Sequence, residues 1–107
     1  MVETITAEKL KEKIENKEDF RLVEVLLPGL FDEWHIPGAI NIPADDMKEI
    51  APEILKRDEE IIVYCKDFEC GASMRAANTL LELGYKKIID FAGGKKDWID
   101  KGYPIEK

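Results

Sequence analysis

The sequence predicts an α/β fold with a central, mainly parallel sheet and helices on both faces. Short β-rich runs alternate with segments of helical periodicity along the 107 residues, which is the pattern of βαβ units. The run "IIVY" at Ile61–Tyr64 is apolar without interruption, as expected of a strand covered on both faces. No internal repeat, low-complexity stretch or linker interrupts the alternation.

Thr6 is placed to cap a helix over "AEKLKEKIEN", where Leu10 and Ile14 recur at i, i+4 in an otherwise charged segment. "FRLVEV" at Phe20–Val25 is β-rich and too short for a helix, so it reads as a strand. Leu26–Gly38, with two Pro and two Gly, reads as an irregular connection, and "AINI" at Ala39–Ile42 as a brief strand before Pro43. From Asp45 or Asp46, the residues Met47, Ile50, Ala51, Ile54 and Leu55 share one helical face, with Pro52 expected to shorten or kink the helix. The buried strand Ile61–Tyr64 comes next. Ser73 then reads as the cap of a helix to Leu83, with Ala76, Ala77, Leu80 and Leu81 inward and Gly84 ending it. "KIIDF" at Lys87–Phe91 is a further strand, "AGG" a turn, and "KKDWIDKG" a short last helix that ends at Gly102.

The length fits a single domain over residues 1–107, and 45% hydrophobic residues suffice for a core. The formal net charge of -7 opposes binding to nucleic acid or anionic membranes. No apolar stretch reaches the roughly 20 residues of a membrane span, and "MVETITAEKLKEKIE" has no secretory core, so the expected location is cytoplasmic. Two cysteines cannot build the disulfide framework of a small secreted domain; both are expected as reduced thiols.

Both lie in "CKDFECGAS", Cys65 to Ser73, directly after the best strand. In an open α/β sheet ligands bind beyond the carboxyl ends of the strands, which is where Cys65 stands. Loop amides that turn inward before a helix would lower its thiol pKa from about 8.5 toward 7, and Cys65 is therefore the candidate nucleophile.

Four stretches in this order resemble the rhodanese-like family of single-domain sulfurtransferases: "FRLVEV", "HIPGAINIP" at His35–Pro43, "IIVYC" with its loop, and "ANTLLELGYKKIIDFAGGKKDW". The resemblance implies a rhodanese-like three-layer fold and a Cys65 that accepts a sulfane sulfur as a persulfide. It implies no cofactor and no metal. The donor would be thiosulfate or a persulfide, and the acceptor a thiol, a cyanide-like nucleophile or a protein. Lys66, Asp67, Phe68, Glu69, Cys70, Gly71, Ala72 and Ser73 would form the substrate-binding active-site loop.

The chain departs from the family pattern in its loop. Members commonly have six residues from the cysteine to an Arg, whereas "CKDFECGA" has eight and ends at Ala72. The Arg that usually follows the early strand is Leu26 here, and Glu24 replaces an Asp. Each missing charge-assisted contact is worth about 1.5–3 kcal/mol, so thiosulfate is expected to bind about ten- to a hundredfold more weakly than in a typical member. Asp67 and Glu69 add to that, with Lys66 as the local counterweight. Cys70 has three readings: a small apolar residue under the loop, a resolving or relay thiol for Cys65, or a metal ligand.

The other candidates read as structure. His35 is expected to bond loop backbone, Asp32 and Glu33 to be solvated, and Trp98 to pack the last helix onto the sheet, while Trp34 is open. Phe68 either anchors the loop or offers a contact to a substrate or partner. Cys65, Cys70 and His35 are too few for zinc. A noncatalytic rhodanese-homology module that binds a partner or senses redox state is the competing function. A phosphatase or arsenate reductase would need a loop Arg, and Arg75 lies inside the predicted helix.

Overall fold

The structure, a computed structural model, describes residues 2–107. Five strands form one parallel sheet in the order β1-β5-β4-β2-β3: β1 Glu3–Thr4, β2 Arg21–Glu24, β3 Ile40–Asn41, β4 Glu60–Tyr64 and β5 Lys87–Phe91. The helices are α1 Ala7–Glu15, α2 Pro28–Glu33, α3 Met47–Ile54, α4 Ala72–Glu82 and α5 Gly94–Asp100, with a 3-10 turn at Ala44–Asp46.

Strand pleating divides the core into two layers. Val23, Ile61, Val63, Cys65 and Ile88 face Met47, Ala51, Ala76, Ala77 and Leu80 of α3 and α4. The alternate residues Leu22, Ile62, Tyr64 and Phe91 pack with Ala7 and Leu10 of α1, Trp98 of α5, and Ile36. Every side chain of Ile61–Tyr64 is fully buried, which is why the run carries no polar alternation.

Thr6 caps α1 by accepting from the Lys9 N–H at 3.2 Å. Pro52 lies inside α3 without ending it. It is the sixth helical residue, so most of the helix precedes its missing N–H. Two sequence expectations need correction, and one strand was missed. The connection Leu26–Gly38 contains α2, because Pro28 occupies the first turn, where a helix needs no N–H. β1 was not anticipated. Ser73 is not a cap: α4 begins one residue earlier behind Gly71, and the Ser73 side chain is buried.

Candidate active site

The loop Cys65–Gly71 leaves the carboxyl end of β4, the central strand, and enters α4. Its first two peptide units are clamped by α5. The Lys95 N–H donates to the Cys65 carbonyl at 3.0 Å and the Lys96 N–H to the Lys66 carbonyl at 2.9 Å. Only glycine permits this approach, because a Cβ on Gly94 would lie 2.5 Å from the Cys65 carbonyl oxygen and the residue has φ +63°. The second glycine of "AGG" is thus part of the loop's foundation.

Asp67 shapes the rest. Its Oδ1 accepts the backbone N–H groups of Glu69 and Cys70, each at 3.0 Å, in an Asx turn. Those amides are therefore turned to a carboxylate and do not ring Cys65.

Cys65 is buried, 1% exposed. Its Sγ lies 3.2 Å from the Cys70 carbonyl, 3.5 Å from Ser73 Oγ and 4.0 Å from the Asp67 carbonyl. Burial pushes its thiol pKa up, and the Ser73 hydroxyl and N–H offset this only in part, while the neighbouring Cys70 thiol adds to the rise. The expectation of a thiolate at Cys65 is corrected: carbonyl oxygens favour the S–H form.

Cys70, half-buried, has the opposite surroundings. Burial would raise its pKa, but the Cys65 S–H and the backbone N–H groups of Lys66 and Ala72 outweigh burial, and the Cys70 thiol lies below its ordinary value despite the Asp67 charge. The inward amides expected around Cys65 thus serve Cys70.

Behind Cys65, burial pushes the Asp90 carboxyl of β5 above the ordinary range, and the neighbouring Ser73 side chain opposes the rise. Asp90 Oδ1 has no hydrogen-bond partner. Alongside lies a second group that sequence reasoning missed. Glu24 is fully buried and accepts the Tyr64 hydroxyl at 2.9 Å, and Lys95 Nζ sits 3.2 and 3.3 Å from its two oxygens. Lys95 also donates to the Leu30 carbonyl at 2.7 Å and stands 4.6 Å from the centre of the Trp34 ring. Burial raises the Glu24 pKa, and Lys95 opposes the rise. The available signal was the charge at an inward pleat position of "LVEV".

The other loop residues face outward. Phe68 is 73% exposed and borders a hollow that includes Thr4, Ala92 and Lys101, so it does not anchor the loop. Lys66 and Asp67 line a groove of about 350 Å³ with Leu26, Leu30, Trp34 and Ile99. Glu69 and Gly71 are exposed, and Ala72 is partly buried at the start of α4.

Arg75 pairs with Asp45 at 2.5 Å and is not turned to the thiols. His35 Nδ1 lies 3.0 Å from the Phe31 carbonyl and its ring stacks on Phe31 at 3.9 Å, while its backbone pairs with Glu106. It holds the connection together. Asp32 and Glu33 are exposed, and Trp98 is buried with its N–H on the Pro104 carbonyl. Among the described residues, no group of three or more His, Cys, Asp or Glu is arranged to hold a metal ion.

Comparison with known proteins gives a consistent picture. The family model of the rhodanese-like domain matches residues 6–101. The chain is 31% identical over 106 residues to a protein of Allochromatium vinosum named sulfurtransferase, covering 98% of this chain and 95% of that protein. It is 31% identical over 97 residues to YrkF of Bacillus subtilis, whose name suggests a sulfur carrier; the match covers 91% of this chain but only 51% of that protein. Among solved structures, a rhodanese-related protein of Thermoplasma volcanium superposes with a TM-score of 0.82 at 32% identity, covering 97% of each chain.

Proposed function

The chain belongs to the rhodanese-like domain family, and from that premise we propose that it acts as one domain that moves a sulfane sulfur through a persulfide on Cys65 to a thiophilic acceptor. Relatives named for sulfur transfer and sulfur carriage support a sulfurtransferase-type role. The observation that carries the finer reading is the position of Cys65, the first loop residue beyond the carboxyl end of the central strand.

The chemistry is a pair of displacements at sulfur. The Cys65 thiolate attacks the sulfane sulfur of the donor, the donor's remaining group leaves with the bonding pair, and a Cys65 persulfide results. An acceptor then attacks the terminal sulfur and Cys65 leaves as thiolate. The Ser73 hydroxyl and N–H are the donors at Cys65 Sγ that stabilise the anion at either stage. Because Cys65 is buried, loading requires the loop to lift from Sγ. Lys66 lines the groove beside Leu26 and Trp34 and Arg75 is paired with Asp45, so a persulfide donor suits the site better than the dianion thiosulfate. A cytoplasmic setting belongs to the same proposal, because two cysteines are too few for the disulfide framework of a small secreted domain.

The test is mass spectrometry after exposure to thiosulfate or to a low-molecular-weight persulfide. The wild type should gain the mass of one sulfur, mapped to Cys65, and Cys65→Ser should transfer none to cyanide. Transfer that persists in Cys65→Ser overturns the assignment. The competing reading, a noncatalytic redox-sensing module, is favoured by the burial of Cys65 and the missing cation; it predicts no turnover with either donor.

A further inference from the structure

Transfer from Cys65 to an outside acceptor gives Cys70 no part, yet the loop is built around it. Asp67 accepts the Cys70 backbone N–H at 3.0 Å, and the Cys70 carbonyl lies 3.2 Å from Cys65 Sγ. Cys65 Sγ thus lies directly against the Cys70 residue, which packs on the same core cluster. Cys70 is also the less buried of the pair.

Resting on the persulfide reading above, we propose that Cys70 is a built-in acceptor that releases the transferred sulfur as hydrogen sulfide and leaves a Cys65–Cys70 disulfide for an external dithiol to reduce. When Cys65 takes up a sulfur, the atom that Cys70 already touches becomes the inner sulfur of the persulfide. The Cys70 thiolate attacks that inner sulfur, the bond to the terminal sulfur breaks, and the terminal sulfur leaves with the electron pair as HS⁻. The sulfane sulfur is reduced by two electrons, and the two cysteine sulfurs together are oxidised by two. No other oxidant is needed. A dithiol then opens the disulfide by exchange and restores both thiols, which makes the chain a dithiol-dependent sulfide-releasing enzyme. The position of Cys70 suits this role, because it is the less buried of the two thiols and its backbone is held against Cys65 Sγ.

A single-turnover experiment tests it. Reduced wild type, freed of reductant, is mixed with one equivalent of cysteine persulfide, and sulfide release and intact mass are followed together. The expected result is one sulfide per chain, a final mass two hydrogens below that of the reduced protein, and a crosslinked Cys65–Cys70 peptide. Cys70→Ser and Cys70→Ala should take up the sulfur and hold it, releasing sulfide more slowly by at least about tenfold. Sulfide release from both variants at the wild-type rate overturns the proposal, as does sulfur on Cys70 without a disulfide. If wild type and variants alike take up no sulfur, the persulfide reading fails as well, and the two failures are thereby told apart.

Discussion

Replacing Lys95 by Met removes the cation paired with a fully buried carboxylate while keeping the stem that packs beside Trp34. At 3.2 Å and an effective dielectric of about 20, the attraction lost is about 5 kcal/mol. The Tyr64 hydroxyl remains bonded to Glu24, but one hydroxyl does not neutralise a charge. Glu24 can escape by taking up a proton. Keeping it neutral costs about 1.36 kcal/mol for each pH unit above its unfolded value near 4.3, or about 5 kcal/mol at pH 8 and about 1.6 kcal/mol at pH 5.5.

The folded pKa of Glu24 is already raised by burial, and losing Lys95 raises it further. A carboxyl with a raised folded pKa binds more protons folded than unfolded, so stability falls as pH rises from the unfolded pKa toward the folded one. Lys95→Met should therefore lose about 3–5 kcal/mol at pH 8 and only about 1–2 kcal/mol at pH 5.5. Urea unfolding of wild type and variant at both values measures it. The double variant Glu24→Gln, Lys95→Met should recover at least half of the loss at pH 8, because no charge is then left buried. A loss below about 1 kcal/mol at pH 8, or an equal loss at the two pH values, would refute the reasoning.

Asp90→Asn should stabilise the protein by about 1–2 kcal/mol at pH 8, because it removes a buried carboxylate with an unpartnered oxygen. The raised pKa gives the same sign as for Glu24, so the gain should fade as pH falls toward about 4; a gain that persists there would point to packing instead. Gly94→Ala should cost about 2–4 kcal/mol in thermal unfolding and slow sulfur loading, since its Cβ collides with the Cys65 carbonyl; wild-type stability would show that α5 can retreat at no cost. With a thiol-alkylating reagent near neutral pH, Cys70 should react on the order of tenfold faster than Cys65 by peptide mapping, and the reverse order would mean that the resting loop is open.

The strands that bury both faces were legible because their side chains leave no ambiguity of period. Lys87–Phe91 matches its expected bounds, and Ile61–Tyr64 is extended only by Glu60. β1 was not legible: two exposed residues carry no period, and their pairing depends on β5 more than 80 positions away. α2 was hidden because Pro28 and Gly29 read as breakers and none of its residues is buried, so no apolar stripe marked it. At the site, the position of Cys65 followed from the strand before it. The direction of the loop amides did not, because it depends on Asp67 accepting two of them and on Gly94 admitting α5 against the loop. The Glu24–Lys95 pair joins residues 71 apart, and only the inward charge in "LVEV" hinted at it.

The missing loop cation and the second thiol belong to one electrostatic problem. A sulfur anion at Cys65 would lie against the Cys70 and Asp67 backbone carbonyls without a guanidinium to face it, and the nearby Lys95 charge is turned to Glu24 on the other face of the sheet. Two buried thiolates in one loop would be costlier still. The two thiols divide the problem: burial pushes the Cys65 thiol up, while Cys70 lies below its ordinary value and ionises the more readily of the two. Cys70 is also the sulfur nearer to solvent. An anionic loop of this kind repels a dianionic donor but holds an attacking thiolate ready for whatever sulfur Cys65 has received. The extended loop and its second cysteine are then one device, in which an internal nucleophile replaces the electrophilic clamp that a loop Arg would supply.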